Sequence, residues 1–202
     1  MNEVVLMRTG TANLASVAAA FHRAGRSVRI SESAEDAADA ALVVLPGVGS
    51  FGTVSERLDE LGLRSPLGNR IRAGRPTLAV CLGMQLLGEG SEESPGAVGL
   101  GVIPATATSL RAGVRRPQLG WNRVAAGAGC RVLRDGTAYY ANSFKFDTIP
   151  DGWGGALTDH GGDFVAAIER GAVLACQFHP ELSGAWGQAL VERWLARAGE
   201  FV

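Results

Sequence analysis

Aromatic residues are scarce in this chain, only 6% of the total, and there are just three cysteines among 202 residues. With little aromatic area available, the core has to be built mainly from Ala, Val and Leu. At 47% hydrophobic residues and this length, one α/β domain spanning residues 1–202 buries most of its unfolded surface without staples. Cys81, Cys130 and Cys176 are odd in number and lack metal-ligand spacing. That argues against a disulfide framework and for a reducing, cytoplasmic setting. Charge excess is missing too: 19 basic residues stand against 20 acidic ones, for a formal net charge of −1. The basic stripe of a nucleic-acid binder is therefore absent, and the small cluster Arg111, Arg115 and Arg116 before Pro117 reads as a solvated loop. No apolar run approaches the roughly 18 residues of a membrane span. The N-terminal segment has neither the basic nor the apolar region of a secretion signal. These absences lead to the expectation of a soluble protein with no nucleic-acid or membrane partner.

What is present is a rhythm. Val4-Val5-Leu6-Met7 is a short apolar run, followed by Gly10 and an Ala-rich amphipathic stretch from Ala12 to Arg23, with Gly25 as a helix stop. Val28-Arg29-Ile30, Ala41 to Leu45, and Thr77 to Val80 read as further strands, the last preceded by a helical stretch that includes Leu67 to Ala73. Continuous apolar strands alternating with helices predict an α/β fold with an open, mostly parallel central sheet flanked by helices. From about Gly96 to Asp163, Gly, Pro and Thr become common. Asn122-Arg123-Val124 and Ala138-Tyr139-Tyr140 there look like short, partly antiparallel strands. Phe164 to Ile168 and Val173 to Phe178 pair as a hairpin across Glu169-Arg170-Gly171. A final helix, Ala185 to Ala198, places Trp186, Leu190, Trp194 and Leu195 on a core-facing stripe.

Three segments carry chemistry. Cys81 follows the strand Thr77 to Val80 and precedes an expected helix, with the small residues Ala79 and Gly83 two positions to either side. A nucleophile on a sharp strand-to-helix turn needs small neighbours there, because larger side chains collide as the chain folds back. Such a turn lifts the sulfur out at the carboxyl end of the sheet, and the helix N-terminus behind it favours the thiolate. Cys130 and Cys176 lack that context and read as inert. Among three histidines, His22 reads as solvated and His160 lies in a turn. His179 opens His179-Pro180-Glu181, where Pro180 keeps His179 out of helical geometry. In an extended segment residues two apart point the same way, so Glu181 reaches the imidazole and orients it, completing a nucleophile–base–carboxylate set. The third segment, Leu45-Pro46-Gly47-Val48-Gly49-Ser50-Phe51-Gly52, offers backbone amides for an oxyanion. Such a donor is typically worth ~3 kcal/mol. The segment lacks the Lys-Ser/Thr of a phosphate loop and the spacing of a dinucleotide fingerprint.

Together these segments resemble the class I (triad) glutamine amidotransferases, over essentially the whole chain. Within that family the similarity is to the branch that feeds ammonia to a histidine-pathway cyclase. The matching motifs are Thr9-Gly10-Thr11-Ala12-Asn13-Leu14-Ala15-Ser16, Leu45-Pro46-Gly47-Val48-Gly49, Cys81-Leu82-Gly83-Met84-Gln85-Leu86-Leu87 with Ser91-Glu92-Glu93, Gly120-Trp121-Asn122, and Gln177-Phe178-His179-Pro180-Glu181. The resemblance implies a flavodoxin-like fold and glutamine hydrolysis through a thioester on Cys81, with His179 and Glu181 completing the triad. It implies an oxyanion hole from Gly47, Val48, Gly49 and Leu82, and glutamine contacts from Gly49, Gln85, Asn142 and Ser143. It further implies no metal and no organic cofactor. The partner it implies is a (β/α)8 cyclase subunit, in a heterodimer that makes imidazole glycerol phosphate and aminoimidazole carboxamide ribotide.

Four positions depart from the family pattern. Ala79 replaces a glycine, Gln118 and Asn142 each stand where a histidine is usual, and Leu182 replaces a basic residue. These keep two alternatives open, a paralogue feeding a different synthase (for example in nucleotide-sugar amination) and a non-catalytic interaction module.

Overall fold

The computed structural model describes residues 3–10 and 13–201; Thr11 and Ala12 of the N-terminal motif lie outside them. Along the first half, strands and helices alternate as β1 (Glu3–Met7), α1 (Leu14–Arg23), β2 (Ser27–Ser31), α2 (Ala34–Asp39), β3 (Val43–Leu45), α3 (Phe51–Glu60), α4 (Arg64–Arg72), β4 (Thr77–Val80) and the one-turn α5 (Leu82–Gln85). The apolar strands are sandwiched. On β1, Val4 and Leu6 join one core while Val5 and Met7 join the other, and β4 divides Leu78 and Val80 from Ala79 in the same way. Side chains alternate faces along a strand, so a strand covered on both faces must be apolar throughout.

Helices α2 and α3 escape the sequence reading. Each starts at a serine whose side chain accepts a backbone N–H three residues on, Ser33 from Asp36 and Ser50 from Thr53. Only Ala37 of α2 is buried, which leaves it almost no apolar stripe. Helix α3 buries Phe51, Val54 and Leu58, and Ser50 starts it directly behind the Gly-rich loop. The expected strand from Ala41 is shorter, beginning at Val43.

The second half continues as β5 (Gly90–Ser91), β6 (Thr106–Ser109), β7 (Gln118–Ala126), β8 (Gly136–Asn142), β9 (Phe144–Lys145), β10 (Gly154–Asp159), β11 (Asp163–Arg170), β12 (Val173–Cys176) and α6 (Gly184–Ala198). Among the described residues, nine strands form one sheet in the order β2-β1-β3-β4-β12-β11-β10-β7-β8, and β5, β6 and β9 form a small second sheet. From β2 through β12 neighbours run parallel; from β12 to β8 they run antiparallel. The antiparallel part is more regular than its Gly- and Thr-rich sequence suggests. Gln118 to Val124 pair without a break against Asn142 to Gly136. The hairpin β11–β12 forms as expected, but its turn falls at Gly171, whose φ of 61° suits a residue without a side chain. On α6, Leu190, Trp194 and Leu195 are buried, with Trp186 packed at the margin of the same core. No helix among the described residues is long and apolar enough to cross a membrane.

Candidate active site

The parallel strands β4 and β12 lie side by side in register, Cys176 opposite Val80. The residues that follow each strand therefore meet at one end of the sheet. The Cys81 N–H donates to the Cys176 carbonyl at 2.7 Å, and the chain then turns sharply. Cys81 has φ 54° and ψ −112°, the one positive φ outside glycine among the described residues. Such a backbone costs of order 1–3 kcal/mol and persists only where its surroundings enforce it. Close approach enforces it here. A Cβ on Gly83 would overlap the Leu45 carbonyl oxygen, and one on Gly47 would sit 2.6 Å from the Gly83 nitrogen. The glycine two residues after Cys81 is thus required by β3 and the loop beyond it. The expected helix is a single turn of four residues. The sulfur meets the Ala141 carbonyl at 3.9 Å and the Gln177 side-chain nitrogen at 3.6 Å, and not the dipole of a long helix.

His179 leaves β12 in extended geometry, and its N–H is held by the Tyr139 carbonyl at 2.9 Å. The expectation that Glu181 reaches it by strand alternation is corrected in detail. Pro180 opens a 3-10 turn, Pro180–Leu182, which carries Glu181 back so that its Oε1 lies 2.8 Å from His179 Nδ1. Ser183 fastens this turn, donating to the His179 carbonyl at 2.6 Å and accepting the Tyr139 N–H at 3.0 Å. With Nδ1 engaged, Nε2 faces Cys81. Burial disfavours the imidazolium, but the hydrogen bonds and charges of Cys81 and Glu181 outweigh it and push the His179 pKa up to about 10.

Cys81 and His179 line a cavity of about 280 Å³, together with Gly49, Leu82, Gln85, Glu93, Asn142 and Ser143. That volume lies at the lower end of small-molecule pockets. The Gly-rich loop forms one wall, with Gly49 at φ 108°. The Leu82 N–H meets the Gly47 carbonyl at 3.3 Å. Gln85 Nε2 donates to the Phe144 carbonyl and to Gln177 Oε1, both at 3.1 Å, and so turns its own oxygen to the cavity. Asn142 also donates to the Phe144 carbonyl, at 3.1 Å, leaving its Oδ1 buried without a partner. Its cross-strand neighbour is Gln118, another buried amide with an unpartnered oxygen. Two departures from the family pattern, far apart in sequence, therefore stand next to each other.

Glu93 is the residue the sequence reading left without a role. It lines the cavity, and its Oε2 accepts the Phe51 N–H at the start of α3, at 2.6 Å. Its place in a motif was the available signal; the fold-back of the chain beyond α5 was not. The other histidines stay outside the site, His22 against the Arg26 carbonyl and His160 against that of Arg115. Arg111 donates to the Gly161 carbonyl and Arg116 to the Ser109 hydroxyl at the end of β6. Burial raises the thiols of Cys130 and Cys176, which keeps them protonated and unreactive.

Residues 8–198 match the family model described as glutamine amidotransferase class-I. The chain belongs to the class-I glutamine amidotransferases. Among curated members of this amidotransferase family, the imidazole glycerol phosphate synthase subunit HisH of Deinococcus radiodurans is 41% identical over 94% of this chain and 91% of its own length. The protein of that name from Thermus thermophilus is 39% identical over 94% of each. A crystal structure of a glutamine amidotransferase superposes with a TM-score of 0.77 over 97% of this chain and 98% of that one, at 21% identity. That similarity bears on the amidotransferase fold alone.

Proposed function

We propose that this glutamine amidotransferase hydrolyses glutamine through Cys81, His179 and Glu181, and delivers the ammonia to a cyclase subunit of imidazole glycerol phosphate synthase. The observation that carries this reading is the strained Cys81 and an imidazole held by a buried carboxylate, with the sulfur and the imidazole opening on one small cavity. The Cys81 thiolate attacks the side-chain amide carbon. Gly49 and its neighbours Gly47 and Val48 offer backbone donors to the oxyanion, and the Leu82 N–H joins them once it is released from the Gly47 carbonyl. His179 gives its Nε2 proton to the departing nitrogen, the C–N bond breaks and ammonia leaves. Water then attacks the thioester as His179 takes back a proton, and glutamate departs as the C–S bond breaks.

The cavity suits this substrate by polarity. Gln85 Oε1 and the Glu93 carboxylate are acceptors, matched to an α-ammonium and an amide NH2; Asn142 lines the cavity beside them, and Ser143 adds a hydroxyl able to meet the carboxylate. Leu119, Trp121 and Leu182 are exposed apolar residues, and Leu119 pairs across strands with Ala141 of the cavity wall. They fit a docking face for the partner, which we take to be a (β/α)8 cyclase forming a heterodimer that yields imidazole glycerol phosphate and aminoimidazole carboxamide ribotide. The names of the curated relatives favour this acceptor over another synthase. The test is glutamine turnover by the chain alone and with a histidine-pathway cyclase plus its nucleotide substrate. Turnover should rise in the complex and vanish in Cys81→Ala. Equal rates with and without the cyclase would remove the proposed acceptor, and activity in Cys81→Ala would remove the mechanism.

A further inference from the structure

Gln177 lies between Cys176 and Phe178, and all three are completely buried. A buried amide is costly unless it is hydrogen-bonded, and the apolar surroundings would accept a hydrophobic residue. Its side chain bridges two parts of the site. Nε2 lies 3.6 Å from the Cys81 sulfur, and Oε1 accepts from Gln85 Nε2 at 3.1 Å.

The direction of this chain of bonds follows from a group that cannot flip. The Phe144 backbone carbonyl is an acceptor only, so the Gln85 atom 3.1 Å from it is the nitrogen. The second N–H of that nitrogen then requires an oxygen on Gln177, which turns the Gln177 nitrogen to the sulfur. Reversing either amide would set two oxygens or two NH2 groups against each other.

We propose that Gln177 is a further catalytic residue, donating an N–H to the Cys81 thiolate while holding Gln85 with its oxygen turned to the substrate. This rests on the reading of Cys81 as the nucleophile. A hydrogen bond to the charged form favours that form, and Gln177 offers one from a fully buried side chain that is not part of the cavity lining. The same side chain links nucleophile to substrate contact, so both are set by one backbone carbonyl on β9.

The test is alkylation of Cys81 by iodoacetamide across pH, read by peptide mass, alongside kcat and KM for glutamine in the cyclase complex. In Gln177→Met, of similar volume but without the N–H, the alkylation profile should move to higher pH by roughly one unit, the size expected for a lost charge-assisted bond. Its kcat should fall about tenfold, and its KM should rise as Gln85 is released. Gln177→Asn keeps an amide but withdraws it from the sulfur, and should move the profile in the same direction. It carries the test if the methionine variant does not fold. A folded variant with the wild-type alkylation profile would overturn the proposal. Alkylation reads the sulfur without turnover, so it is independent of whether Cys81→Ala abolishes glutamine hydrolysis.

Discussion

Cys81, the proposed nucleophile, is also the strained residue of the site. At φ 54° it occupies backbone space that glycine enters freely and other residues do not. Cys81→Gly and Cys81→Ala should both be inactive, but the glycine variant should be more stable than the alanine one by about 1–2 kcal/mol, since alanine keeps the strain. Paired urea denaturation curves check this. His179 makes a second statement about pH. Its folded pKa, about 10, exceeds the ordinary 6.5. Its protonated form therefore stabilises the fold fully below pH 6.5, and that contribution disappears as pH rises through about 10. Turnover that needs the imidazolium should fail on the same alkaline side. In Glu181→Gln one of the two partners sustaining the proton loses its charge, so the alkaline limb of kcat should move to lower pH. An unmoved limb would mean that Glu181 does not support the imidazolium.

At the scale of elements, the site depends on close approaches and staples that lie outside the cavity. The elbow touches the end of β3 so closely that Gly83→Ala would push its new methyl into the Leu45 carbonyl. Overpacking of this kind costs roughly 1–3 kcal/mol. Because the contact sets where the sulfur stands, Gly83→Ala should lower kcat more than it raises KM in a glutaminase assay. On the other side of the sheet, Glu169 of β11 accepts the N–H of Val132 at 3.0 Å, that of Leu133 at 2.8 Å, and that of Arg131. One carboxylate thus ties down the loop between β7 and β8. Glu169→Ala leaves those donors unpaired and should destabilise the fold by roughly 3 kcal/mol, measured by urea denaturation.

For the whole molecule, the notable surface is the exposed apolar pair Leu119 and Trp121, on the strand beside the one that carries Ala141 and Asn142 of the cavity wall. Trp121 is 59% exposed and Leu119 58%, on the β7 strand that also bears Gln118. Trp121 rests edge-on against Tyr139, with ring centroids 6.0 Å apart, and the Tyr139 carbonyl holds the His179 N–H. A partner seated on Trp121 would therefore press on the strand that positions His179. Trp121→Ala should weaken cyclase binding at least tenfold, about 1.4 kcal/mol, while leaving the circular dichroism of the free chain unchanged. Titration of labelled cyclase reads the first effect.

The parallel half of the fold was legible in sequence because strands buried on both faces must be apolar without a break, as at Val43 to Leu45 and Thr77 to Val80. The turn at Cys81 and the contact between His179 and Glu181 were legible because each depends on local sequence, small neighbours and a two-residue spacing. Helix α2 was hidden because it buries one alanine, and the full length of β7 and β8, though not their existence, because their half-exposed residues mix with turn formers. Only tertiary structure decided which residues surround the sulfur. Gln177 is 96 positions from Cys81, and Glu93 reaches the cavity through the fold-back after α5. Gln118 and Asn142 become neighbours through strand register. Local sequence sets the turn that exposes a nucleophile, whereas hydrogen-bond partners so distant along the chain are fixed by how the strands are ordered in the sheet.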